Sequence, residues 1–308
     1  MSHRATVGGC ALGLAIGWNV SDVGAIADTV ADDYGVSLTT VGLFTTALFL
    51  VHAALQVPAG RAVDRHGARR IGLVALAVLA AANGVALVSP SSELLFVARA
   101  AMGVGTALGF VAGSDYVRAQ GGTAFAQGLY GGIALGAGGF ALAVVPQLVG
   151  PLGFRAPFAS ALALAVLAAL VLAAAPRDRA RHLVRAARPA RGDAPGLLRD
   201  SRLYRLCVLY MASFGFSVVL GNWVVPLLTR AADYSEGLAG AVGSLILAAG
   251  VVSRPLGGWV ARAHPARIRA ALGASFAASA AGTLILAVAG PPALSALGVL
   301  LLGLAAAA

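Results

Sequence analysis

The sequence predicts an all-α polytopic membrane protein made of two related helical bundles, the second incomplete. Three observations carry that expectation. Apolar runs of about 20 residues recur down the whole length. The segment PAGRAVDRHGARR, residues 58–70, forms a polar island between two of those runs. A degraded copy of the island, PLGGWVARAHPAR, returns at residues 255–267. With 59% hydrophobic and 11% charged residues over a length of 308, and a mean hydropathy of +0.87, a soluble fold is excluded.

The runs place helices 1 to 10 at residues 7–29, 40–59, 70–89, 93–114, 125–149, 155–175, 204–228, 237–258, 269–289 and 293–308. Nine are complete spans, and the tenth stops at the chain end. Helix 1 is too long, and has too many spans after it, to be only a cleaved secretory signal.

A formal charge of +10 would suggest nucleic acid in a soluble protein, yet here the cations are all arginine, with no lysine, and they collect in connections between spans. Arg4, the island, Arg118, residues 177–202, Arg262, Arg267 and Arg269 fall on one side. Only Arg155 and Arg230 fall on the other, with Asp28, Asp32, Asp33, Glu93, Asp233 and Glu236. This asymmetry predicts a cytoplasmic N-terminus, island and long connection in a multi-pass protein of the cytoplasmic membrane, with no nucleic-acid partner. Cys10 and Cys207 fall within or beside spans and read as small core residues, so neither a disulfide nor a metal site is expected.

The run RDRARHLVRAARPARGDAPGLLRDSR, 177–202, is basic, interrupted by proline and too polar to span a bilayer. It is expected to link an N-terminal six-helix bundle, 1–176, to a second bundle, 203–308, holding helices 7 to 10. Its arginines would lie near anionic headgroups. The repeated island supports that division. It pairs Pro58 with Pro255, Gly60 with Gly257, Arg65 with Arg262 and Arg70 with Arg267 at a constant offset of 197 residues, with Ala261 in place of the aspartate. Such a repeat implies two halves related by duplication, as in transporters built from parallel repeats.

Gly60, Asp64, Arg65, Gly67, Arg69 and Arg70 match every position of the loop 2 to 3 motif of the major facilitator superfamily, which the chain resembles along its whole length. In helix 4, Arg99, Gly103 and Gly105 of FVARAAMGVG are similar to a family motif whose arginine is linked to proton coupling. In helix 5, Gly132, Gly136, Gly138 and Gly139 of GGIALGAGG are similar to the glycine-rich motif of proton-driven exporters, although Ala137 stands where a proline is expected. The same glycines also read as close helix packing. The resemblance implies that the island is a conformational latch. Gly60 would admit a neighbouring helix, Asp64 would bond a helix N-terminus, and Arg69 or Arg70 would pair with Asp115 at the end of helix 4. It also implies twelve helices, of which ten are present, and the helix that docks on Gly60 and Asp64 in the family is the eleventh.

Within the spans the ionisable residues are Asp22, Arg99 and Arg254, each costing about 3 kcal/mol in hydrocarbon unless it meets a cavity or a partner. Asp22, beside Asn19 and Ser21, reads as a proton or substrate group, or as a carboxylate near the outer interface. Arg99 would neutralise Asp22 or bind an anion. Around Arg254, SRPLGG is similar to helix 8 of nitrate, nitrite and cyanate carriers. Their second arginine, on helix 2, has no counterpart, and Gln56 lies near that place. Trp18, Trp223, Tyr130 and Tyr210 line a cavity or serve as packing and interface anchors.

No nucleotide loop and no nucleophile with a positioned base is present, so an enzyme is not expected. The expected function is secondary transport of a small solute by alternating access, coupled to protons, by a monomer in the bilayer without a cofactor. A non-transporting or truncated relative is the alternative, and a small-anion carrier is the substrate-level alternative.

Overall fold

The computed structural model describes residues 3–177, 199–288 and 292–305, and among them there is no β-strand. Of the expected connection 177–202, residues 178–198 lie outside the described residues. All ten expected helices have a helical counterpart. Helix 1 runs His3–Ser21, passes a short turn with Gly24–Ile26, and resumes at Ala27–Tyr34 after a bend of 42°. Helix 2 joins Leu38–Ala54 to Gln56–His66 at a bend of 52°. Helix 3 is Ala68–Ala86, helix 4 Ser92–Ala119, helix 5 Ala124–Leu152 and helix 6 Ala156–Ala174. Helix 7 runs Ser201–Tyr210, a π-turn Met211–Gly215 and Phe216–Ala231. Helix 8 joins Glu236–Ala248 to Gly250–Ala263, helix 9 is Ile268–Ala287 and helix 10 Pro292–Ala305.

Local chemistry sets several of these limits. Helices 2, 4, 5 and 8 each begin on a hydroxyl that accepts from a backbone N–H three residues on: Ser37, Ser91, Thr123 and Ser235. The bend in helix 2 has a cause in sequence. Pro58 lacks the N–H that would bond the carbonyl of Ala54, and its ring crowds that carbonyl, so the helix breaks at Leu55. Pro255 occupies the equivalent place in helix 8, which breaks at Ala249.

The polar island is helical for most of its length. The chain stays helical through His66, and Gly67 alone, at φ 92° and ψ 148°, turns it into helix 3. Only glycine holds that conformation without strain. In the second copy the equivalent residue is His264, at φ −137° and ψ 61°, again the junction between helices.

Helix 1 packs against helices 4, 5 and 6, helix 3 against 4 and 6, and helix 2 against 4. Among the later helices, 7 lies on 8, 9 on 10 and 8 on 10. The two groups meet along helices 5 and 8. A Cβ built on Gly128 would stand 2.7 Å from the Arg254 carbonyl, on Gly132 2.5 Å from the Gly250 carbonyl, and on Gly139 2.6 Å from the Ser244 carbonyl. Gly136 faces Val251, while Gly138 faces Leu247 and Ser21. These glycines let two backbones touch where no hydrophobic effect drives helices together. Leu50, Leu170 and Leu206 are among the large side chains left exposed, as a lipid-facing surface requires.

Candidate functional site

A fully buried polar group lies where helix 1 breaks. Asp22 follows the last residue of the first segment, so its carboxylate sits at a turn, and Oδ1 accepts from the Val23 N–H at 2.8 Å. Arg99, two turns into helix 4, donates from Nη1 to the same Oδ1 at 3.0 Å, and both side chains are 0% exposed. The pair is incompletely satisfied. Asp22 Oδ2 and Arg99 Nε and Nη2 are buried with no hydrogen-bond partner among the described residues. Both residues singled out in the sequence are thus brought together, out of contact with solvent.

Asn19 stands one turn before Asp22 and bonds the Ala15 carbonyl, while its Oδ1 accepts from Asn83 of helix 3 at 2.9 Å. Asn222 of helix 7 closes the site from the second group of helices. A Cβ on Gly24 would lie 2.8 Å from Asn222 Oδ1, an atom that is also buried without a partner. Asn83 and Asn222 were not anticipated, and the only signal for either is a lone amide in an apolar run.

At mid-depth a second polar group was also missed. His52 of helix 2 contacts Thr106 of helix 4 through Nδ1 at 3.0 Å, and its Nε2 lies 2.6 Å from the Gln56 amide. Gln56 is therefore engaged on its own helix rather than standing in for a second anion-binding arginine.

Arg254 borders a cavity of about 970 Å³ lying between helices 5, 7, 8, 9 and 10, toward the end of the molecule that carries the island. Its guanidinium lies over Gly131 and 5.6 Å from the centre of the Phe214 ring, which stacks on Tyr210 at 5.3 Å. No carboxylate lines this cavity, and among the described residues none pairs with Arg254. Of the aromatic candidates only Tyr210 borders it. Trp18 and Tyr130 are buried and bond Ser160 and the Phe110 carbonyl, and Trp223 covers Gly42.

At the island end, Asp64, Arg65 and Arg70 are exposed, and a Cβ on Gly60 would meet nothing within 4 Å, so no described helix makes the close approach expected there. The expected pairing of Arg69 or Arg70 with Asp115 is replaced. Asp115 is bound to Arg118, three residues along the same helix, because that partner is already at hand. Arg69 instead donates to the carbonyls of Leu172, at 3.0 Å, and Ala173, capping the negative end of helix 6. Tyr116 and Gln120 bond the next carbonyls, of Pro176 and Arg177, at 2.8 and 3.0 Å.

At the opposite end, Asp28 of helix 1 pairs with Arg230 of helix 7 at 2.6 Å. With the Gly24–Asn222 and Gly42–Trp223 contacts, this joins the two groups of helices there.

No curated protein matches the sequence. Solved structures do match the fold. The proton:xylose symporter XylE bound to 6-bromo-6-deoxy-D-glucose aligns with a TM-score of 0.71 at 16% identity, covering 99% of this chain and 79% of that one. The nucleoside transporter NupG gives 0.71 at 13% identity, covering 99% and 80%. The human organic anion transporter MFSD10 gives 0.70 at 18% identity, covering 100% and 84%. The sequence description of the Major Facilitator Superfamily matches residues 7–308, and together with the helical fold it identifies the chain as a multi-pass membrane protein that belongs to that transporter family.

Proposed function

We propose that the protein is a secondary active transporter that moves a small solute across the cytoplasmic membrane by alternating access, with a proton on Asp22 driving the cycle. The observation that supports this is the enclosed Asp22–Arg99 pair, with one carboxylate oxygen and two guanidinium nitrogens left unbonded. A buried pair is favourable only when its remaining polar atoms are satisfied. This one is not, so adding a proton to Asp22 and freeing Arg99 needs less energy than breaking a complete network. Asn222 places the second group of helices against the same turn, so rocking of one bundle, 1–176, against the other, 203–308, alters the surroundings of the pair. The contacts at Asp28, Gly24 and Gly42 shut the end away from the island. With the arginine-rich end and the N-terminus in the cytoplasm, the cavity at Arg254 belongs to an inward-facing monomer.

The test begins with a thermal-shift screen of solutes, since a bound substrate stabilises the folded protein. Hits are then followed in proteoliposomes under an imposed pH gradient. D22N is expected to abolish uphill accumulation while retaining exchange of labelled for unlabelled solute. Undiminished accumulation by D22N overturns the proton assignment.

One observation favours an anionic solute. Among the described residues Arg254 is the sole charged group lining the cavity, and no carboxylate there faces it. R254Q is expected to weaken binding of an anionic hit by about 10- to 100-fold, the value of a lost charge-assisted hydrogen bond. Equal affinity in R254Q rejects the assignment.

A further inference from the structure

Building on the proton-coupled reading above, we infer that His52 is a second proton-binding group, and that its charge state sets the bend of helix 2 at Leu55. His52 stands near the midpoint of helix 2 and Thr106 near the midpoint of helix 4. Thr106 is seven residues from Arg99, hence on the same face of helix 4 and about 10 Å along it. The hydrogen bonds around the ring fix its tautomer. The Thr106 hydroxyl gives its one proton to the Gly103 carbonyl at 3.1 Å, so toward His52 it accepts, and Nδ1 is the protonated nitrogen of the neutral ring. Nε2 is then an acceptor and takes a hydrogen from the Gln56 carboxamide.

A proton added to Nε2 turns that nitrogen into a donor. The Gln56 amide then has to rotate and present its oxygen, or let go. This contact spans the place where the backbone is weakest. His52 lies on the segment ending at Ala54 and Gln56 opens the next, and Pro58 has removed the backbone hydrogen bond that would cross the break. The side-chain pair is therefore a strap across the hinge. The segment it controls, Gln56–His66, carries Asp64 and Arg65 and leads to the Gly67 turn.

The ring is otherwise flanked by Phe49, at 6.1 Å, and Phe110, at 6.2 Å. Charged groups on the helices packed against helix 2 lie elsewhere: Glu93 in the first turn of helix 4, Arg99 two turns outward, Asp115 and Arg118 beyond two turns toward the island, Arg69 and Arg70 at the start of helix 3, and Arg4, Asp22, Asp28, Asp32 and Asp33 on helix 1. None of these holds the ring in one charge state through an ion pair.

The experiment uses the full chain with Cys10 and Cys207 replaced by serine and spin labels on H66C and A124C. Distances are measured in detergent at pH 8 and pH 4, with monodispersity checked at both. The parent is expected to show a shift of more than about 2 Å, the scale of a hinge rearrangement, and H52Q to show none. An unmoved parent, or an equal shift in H52Q, overturns the inference. Should H52Q not fold, Q56A keeps the imidazole and cuts the strap. Its distance is expected to be independent of pH, and a parent-like shift in Q56A is equally fatal. D22N separates the two proposals. If D22N alone removes the shift, the hinge strap is wrong and Asp22 stands. If H52Q removes the shift while D22N still accumulates solute, the strap stands and the role of Asp22 falls.

Discussion

Asp22 and Arg99 sit 3.0 Å apart with no solvent contact, which makes the pair unequal to its parts under mutation. Removing one member leaves a bare charge in a medium that cannot solvate it, so R99A is expected to cost about 3–5 kcal/mol in thermal unfolding. The double variant D22A/R99M is expected to recover most of that loss. Additive losses would show that the two are not coupled. The pair was legible in the sequence because a charge inside an apolar run is costly enough to demand a partner. Asn83, Asn222 and the His52–Thr106–Gln56 group were not legible, for the converse reason. An uncharged polar side chain in a helix can satisfy itself locally: Ser253, Ser275 and Thr283 each donate to the carbonyl four residues back on their own helix. Sequence does not show which polar residue turns inward to its own backbone and which reaches across.

At the scale of elements, glycines that look alike in sequence separate by what they face. A Cβ on Gly139 would press on the helix 8 backbone, whereas one on Gly60 would enter open space. G139A is therefore expected to lower stability by about 1–3 kcal/mol. G60A is expected to change it by less than about 0.5 kcal/mol. Similar losses in the two would refute the assigned seam. The helices were readable from the apolar runs, whereas the hydroxyl caps at Ser37, Ser91, Thr123 and Ser235 and the break that Pro58 makes at Leu55 emerged with the structure. The π-turn at Met211–Gly215 has no comparable mark in the sequence. Asp115 is bound to Arg118, which is within reach on the same helix. That exposed pair is expected to contribute under about 1 kcal/mol, so R118A should unfold nearly as the parent does.

For the whole molecule, the bridge between Asp28 and Arg230 lies at the end opposite the island. In a background lacking Cys10 and Cys207, cross-linking D28C to R230C is expected to lock that end and stop accumulation of solute, with recovery on reduction. Continued transport by the cross-linked form would show that this end need not open. The two halves share a proline inside the island helix, Pro58 and Pro255, and a junction between helices at Gly67 and at His264. That symmetry was visible as the repeated island. The grip of Arg69, Tyr116 and Gln120 on carbonyls between Leu172 and Arg177 was not. It gives the chain leaving helix 6 a fixed anchorage on the first half, two residues from the Gly67 turn. Gln120 and Tyr116 of helix 4 hold Arg177 and Pro176, outside the carbonyls held by Arg69, so a pull on this end of the chain is borne by helix 4 before it reaches the Gly67 turn.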